Sequence, residues 1–144
     1  MARKLALTVV VLLVLAQLVP VSRTNPPVTG AIDAPPDVQA LLRRACADCH
    51  THETVWPWYA SVAPVSWLVA HDVDEAREHL NLSTWTDLKP RKRRKAYEEI
   101  AEMIEEEEMP LWYYVPLHPQ AQLTAAERAR LVEWANGELA RAGG

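Results

Sequence analysis

Four stretches of the chain repeat apolar side chains at the spacing of an α-helix. Val38, Leu41, Leu42 and Ala45 do so between Asp37 and Cys49, a run without proline or glycine whose start falls at Pro36 or Asp37. Val65, Val69, Val73, Ala76 and Leu80 do so after Pro64, whose fixed φ suits the first turn of a helix reaching about Asn81. Ala96, Ile100, Met103 and Ile104 mark a third helix, opened by Pro90 and running through Glu108. Leu131, Trp134, Ala135 and Leu139 mark a last one, begun by Thr124 and Glu127 at capping-box spacing and ending near the terminal glycines. Between them the pattern predicts an aromatic loop over 51–63, a short turn around Trp85 over 83–88, and a loop over 109–123 interrupted by Pro110, Pro116 and Pro119. The expected fold is all-α.

A different pattern precedes these helices. Leu5–Val21 is a run of 17 residues without charge, flanked by Arg3 and Lys4 before it and Arg23 after it. It has no polar face at helical period, which argues against a buried core helix. A basic start followed by an apolar run is the plan of an export signal or membrane anchor, and 17 residues is the lower limit of a spanning helix. Val14-Leu15-Ala16 offers a small-residue cleavage site, yet apolar residues continue past it, so an uncleaved anchor is the expectation and a cleaved signal the alternative. Residues 22–36 are rich in Pro and read as an extended linker outside the core. The chain thus divides into an anchor or signal over 1–23, a linker over 24–36 and a folded part over 37–144.

Composition narrows the picture. A length of 144 residues allows one domain with appendages, and 49% apolar residues exclude a disordered chain. Only 4 glycines, with little β-branched alternation, argue against a β-sandwich. Beyond Arg23, 12 basic side chains face 19 acidic ones, so nucleic acid is not the expected partner. The basic start and acidic body together place the body outside the cytoplasmic membrane by the positive-inside rule. Lys89–Lys95, KPRKRRK, is followed by seven glutamates between Glu98 and Glu108, an order that opposes the helix macrodipole. A solvated face with Glu–Lys pairs is the ordinary expectation, and a docking surface for a redox partner or anionic lipid is the alternative. Four helices with long loops make a small core, unless the loops pack on a large apolar cofactor.

The two cysteines point to that cofactor. Cys46-Ala47-Asp48-Cys49-His50 has the C-x-x-C-H spacing of c-type haem attachment. Thiols three residues apart face one side of a helix, where both can add across the vinyl groups on one porphyrin edge. His50 lies on that side and can reach the iron as proximal ligand. A dithiol redox site would sit beside a βαβ pattern, which the chain lacks. A zinc site would need a second ligand pair at close spacing, and His71 and His79 are too far apart for one. A structural disulfide across so short a loop would stabilise little.

The segment from Cys46 to Trp85, with its W-P-W-Y and A-P-V-S-W strings, and the later run from Glu108 containing M-P-L-W-Y resemble the bacterial haem-binding domain family. These are small exported proteins similar in pattern to single-haem cytochromes c. The resemblance covers about residues 25–140. It implies one covalently attached haem c, a cytochrome c-like helical fold and a location in the bacterial cell envelope, either on the periplasmic face of the cytoplasmic membrane or free in the periplasm if the signal is cleaved. It does not supply a substrate.

A six-coordinate iron needs a second axial ligand. Met109 is the leading candidate: it precedes Pro110, so its backbone is extended at the end of the third helix, and single-haem cytochromes c resemble this placement of a loop methionine before the last helix. Met103 lies on an apolar stripe and is expected in the core. His71, His79 and His118 are alternative ligands, and His52 is too close to His50 to cross the haem. Trp56, Trp58, Tyr59, Trp67, Trp112, Tyr113 and Tyr114 are expected around the macrocycle, and Arg43 and Arg44 are candidates for its propionates. The resulting expectation is a single-haem electron carrier with a protein redox partner outside the cytoplasmic membrane. The alternatives are a haem-based sensor or a peroxidase-type enzyme with an open iron face.

Overall fold

Each periodic stretch is helical in the computed structural model, which describes residues 1–143. Six α-helices follow one another: α1 (Ala2–Ala16), α2 (Pro36–Ala45), α3 (Ala47–His50), α4 (Val65–His79), α5 (Pro90–Glu105) and α6 (Ala125–Gly143). Short 3-10 turns at Trp58–Ser61, Trp85–Asp87, Val115–Leu117 and Pro119–Ala121 punctuate the expected loops. Among the described residues there is no strand, only an isolated bridge between Gly30 and Thr84.

The core lies where α2, α5 and α6 meet. Val38 and Leu42 of α2, Ile100 and Ile104 of α5, and Leu131 and Trp134 of α6 form one buried cluster, joined by Leu82 and Leu123 from the connections. Trp85, Tyr97 and Trp134 stack edge to face through it, with centroids 4.8 and 5.6 Å apart. This packing accounts for α5. Its first turn holds no acid and its last turn no base, so the macrodipole works against it, and five buried side chains hold it instead. By contrast, α2 has Asp37 at its start and Arg43 and Arg44 at its end. The capping box of α6 forms as expected: Thr124 N donates to Glu127 Oε2 at 2.8 Å, and Glu127 N donates to Thr124 Oγ1 at 3.3 Å.

Three expectations need correction. The run from Asp37 to Cys49 is not one helix. Cys46, at φ −123° and ψ −29°, ends α2 and caps α3, so the chain bends at the first cysteine. The third helix stops at Glu105, three residues before the expected end. Glu107 adopts φ 60°, and Glu108 N and Glu107 N return to the carbonyls of Met103 and Ile104 at 3.0 and 3.3 Å. That is a Schellman turn with a glutamate in the left-handed position. The apolar N-terminal run forms a helix of only 15 residues, about 22 Å long at the α-helical rise against a bilayer core of about 30 Å. No helix among the described residues is long and apolar enough to cross a membrane, so the expected spanning anchor is unsupported. The cause is local. Gln17 turns back to donate to Ala63 O at 3.1 Å and accept from Ala63 N at 3.0 Å, and Pro20 bars continuation of the helix.

The extended segment before α2 contributes more than a linker should. Gly30 N donates to Ser83 O at 3.0 Å and Ile32 N to Leu82 O at 2.9 Å, while Thr86 N returns to Gly30 O at 3.2 Å. Ile32 and Ala34 pack on the core. A Cβ at Gly30 would stand 1.7 Å from Thr86 Oγ1 and 2.8 Å from Thr86 Cβ, so only glycine lets the two segments lie this close.

Candidate functional site: a cavity beside the C-x-x-C-H turn

The bend at Cys46 places the motif. Cys46 N donates to Leu42 O at 2.9 Å, closing α2, and Cys46 O accepts from Cys49 N and His50 N at 3.2 and 2.9 Å, opening α3. Cys46, Cys49 and His50 then line one wall of a cavity of about 760 Å³. Helix α4 lines it too. Its whole stripe, Val65, Val69, Val73, Ala76 and Leu80, lines the cavity. Ile100, Met103 and Ile104 of α5 line it as well, and the segment from Met109 to Leu111 with Tyr113, Tyr114, Leu117 and His118 completes the wall.

Both cysteines are free. Burial pushes the Cys46 thiol up to about 12, with Cys49 beside it adding to the shift. Burial, helped by Asp48 and Asp72, pushes Cys49 up to about 11 against the opposing charge of Arg77. Dithiol exchange depends on the thiolate, which this pair withholds.

His50 is oriented by main-chain groups. Its Nδ1 lies 2.9 Å from Leu80 O, and a carbonyl can only accept, so Nδ1 carries the proton and Nε2 keeps its lone pair. Leu82 N donates to His50 O at 2.8 Å, gripping the residue from behind. Burial holds the imidazole pKa below its usual value, opposed by the bonds to the Leu80 and Ala76 backbone, and so favours the neutral form that ligates metal. The loop after the motif is pinned by Arg77 of α4. Its guanidinium donates to Thr51 O, Thr24 O, Asn25 Oδ1 and Thr54 Oγ1, all between 2.9 and 3.0 Å.

Met109 reaches the cavity from the Schellman turn, with its N–H bonded to Met103 O at 3.2 Å. Met103, expected in the core, is half-buried and lines the same cavity. His118 also lines it, but both its ring nitrogens are engaged. Nε2 is 2.6 Å from Tyr59 Oη and Nδ1 is 3.3 Å from Gln120 Nε2. Its ring lies flat on Tyr114, centroids 4.0 Å apart at 9°. Tyr114 in turn donates to Asp48 Oδ2 at 2.6 Å, and burial together with that carboxylate drives its hydroxyl pKa far upward. His79 is exposed at the cavity rim. His71 stands outside the cavity wall, 3.5 Å from Glu75. His52 is held by Pro27 O and Asn81 at 2.9 and 2.8 Å, away from the cavity.

The tryptophans do not wall the cavity. Trp58 and Trp112 are 79% and 81% exposed, Trp67 is exposed, and only Tyr59, Tyr113 and Tyr114 of the expected aromatics line it. Trp56, between the cavity-lining Val55 and Pro57, buries its indole Nε1 without a partner. Arg44 is committed to Glu127 at 2.6 Å, and Arg43 is exposed. In the basic run Lys95 pairs with Glu99 at 2.8 Å, while Lys89, Arg91, Lys92 and Arg94 are exposed.

Sequence reasoning missed Arg77 and the carbonyl of Leu80. Arg77 reaches loop carbonyls and two side chains distant in sequence, and the Leu80 carbonyl is a main-chain atom, so neither leaves a mark in a local residue pattern. The donors present fit a haem. Two protonated thiols and a lone-pair imidazole share one wall of a largely apolar cavity within the size range of cofactor sites. A family model described as a haem-binding domain matches residues 11–137. No curated protein and no solved structure matches the chain.

Proposed function

The chain belongs to the haem-binding domain family and has haem as its cofactor, and from that premise we propose that it is a single-haem c-type electron carrier of the bacterial cell envelope. One observation carries the reading: Cys46, Cys49, His50 and Met109 all line the same apolar cavity.

The haem supplies a one-electron iron couple. Cys46 and Cys49 would hold it covalently as thioethers, since addition of an S–H to a vinyl group needs no oxidant and loses no leaving group. His50 offers Nε2 to the iron, kept in the right tautomer by Leu80 O. Met109 would offer its thioether from the turn after α5, a ligand that favours the ferrous state relative to a second histidine. The stripe of α4 and Leu111 exclude water. A peroxidase-type site would need an acid–base group free to act on the iron face. The engagement of His118 on both nitrogens supports the carrier reading instead.

The end of α1 at Ala16, where Val14-Leu15-Ala16 closes, favours an export signal over a spanning anchor. The partner on this reading is a redox protein outside the cytoplasmic membrane.

The test is the purified protein itself. Haem should survive acid–organic extraction and add its mass to the polypeptide, and Cys46→Ala with Cys49→Ala should release it. The ferric spectrum should show the far-red band of iron bonded to methionine sulfur, and Met109→Ala should abolish it and admit carbon monoxide. Extractable pigment would overturn covalent attachment. A high-spin spectrum would favour the sensor or peroxidase reading.

A further inference from the structure

Arg128, near the start of α6, has no carboxylate within salt-bridge distance among the described residues. A guanidinium usually pairs with a carboxylate or phosphate. Here Nη1 donates to Met109 O at 3.0 Å and to Ile104 O at 3.4 Å. The macrodipole does not explain a cation at this end of a helix, since it disfavours positive charge there. The adjacent Glu127 does not explain it either, being bonded to Thr124 and Arg44.

The two carbonyls mark what the contact holds. Ile104 sits in the last turn of α5, and Met109 is the residue that the Schellman turn delivers to the cavity. Pro110 has no N–H, so the segment cannot be tied down by a main-chain donor at that position. Met109 is fixed instead through its own two polar groups. Its N–H bonds to Met103 O at 3.2 Å, and its carbonyl bonds to Arg128. A charge-assisted hydrogen bond is roughly twice as strong as a neutral one, which suits a single strut between two helices and the turn joining them.

We propose that Arg128 is the positioning residue for Met109: it holds the methionine backbone so that the thioether meets the iron, and it sets a fixed positive charge beside that ligand. This rests on the reading of Met109 as the sixth ligand. The charge disfavours ferric iron, so it raises the reduction potential in the same direction as the thioether does.

The experiment compares wild-type holoprotein with Arg128→Met, which keeps the stem but removes charge and donors, and Arg128→Lys, which keeps the charge and one flexible donor. Arg128→Met should retain covalent haem and helical circular dichroism. It should lose most of the far-red methionine–iron band, lower the potential, and bind carbon monoxide in the ferrous state about tenfold faster, the scale of one lost charge-assisted hydrogen bond. Amide exchange at Met109 and Leu111 should quicken. Arg128→Lys should restore part of the band and most of the potential. A wild-type band that persists unchanged in Arg128→Met overturns the positioning role and leaves the Met109 reading standing. Absence of the band in wild type overturns both. If Arg128→Met loses its helical signal, Arg128→Lys decides: a folded variant with a weakened band supports the role, and a band and potential identical to wild type overturn it. Loss of helical signal in both variants shows a purely structural residue and overturns the proposal.

Discussion

The α5–α6 half and the α3–α4 half of the molecule each present a stripe of apolar side chains, and they use it differently. In the first half the stripes meet each other. Ile100, Ile104, Leu131, Trp134 and Ala135 are all buried in one cluster, and the aromatic stack runs through it. In the second half the stripe of α4 meets a cavity, and of its five members only Val73 is buried. What holds that half together is polar: Leu80 O on His50, four bonds from Arg77, and Asp48 bonded to Tyr114 and Val55. A helical apolar stripe therefore identifies a helix with a dry face but not what covers that face. One half is a core in the usual sense, and the other is a socket.

Matched truncations test the contrast most severely. Leu131 is fully buried, and Leu131→Ala should cost about 2–5 kcal/mol with or without haem. Val69→Ala, on the cavity wall, should cost less than about 1 kcal/mol in apoprotein and more in holoprotein, where its methyls gain a partner. Urea unfolding of both forms decides it, and equal costs in the apoprotein would erase the distinction. Arg77→Ala should come next. Losing its four bonds to the loop and linker should cost about 1–3 kcal/mol and expose residues 51–54 to protease, while leaving the aromatic stack's near-ultraviolet signal intact.

The smallest effect concerns pH. Hydrogen bonds from Thr124 and Arg44 hold the Glu127 carboxyl at about 2, below its usual 4.5. A depressed carboxylate contributes stability above its unfolded pKa and loses it as pH falls through the folded value. The melting temperature of wild type should thus exceed that of Glu127→Gln by a constant margin above pH 5, and the margin should close toward pH 2. A margin independent of pH would show that the clasp between α2 and α6 is not ionic.

Much of this was legible beforehand, for identifiable reasons. The starts of α4 and α6 follow from Pro64, which caps α4 rather than opening its first turn, and from the capping box, both local signals, whereas α4 ends at His79, short of the expected Asn81. The attachment motif is local too. The bend at Cys46 was hidden because the apolar spacing runs straight through it. The docking of residues 29–32 was hidden because it joins main-chain atoms to Leu82 and Ser83, far along the chain. Composition gave six tryptophans but no means of telling Trp134, sealed in the core, from Trp58, facing solvent. The stripe of α5 puts Met103 on the inward face but does not distinguish core from cavity, and the residue lines the cavity.

The grip on His50 has a consequence for inheritance. Leu80 acts through its carbonyl and Leu82 through its N–H, so neither side chain takes part in orienting the imidazole. Related chains are free to change both names, within the sizes their packing allows, and still present the same ring nitrogen to the cavity. Proline at position 82 is the exception, because its ring nitrogen carries no hydrogen to donate. A lineage can therefore rewrite the letters that hold its histidine while the hold itself passes on unaltered.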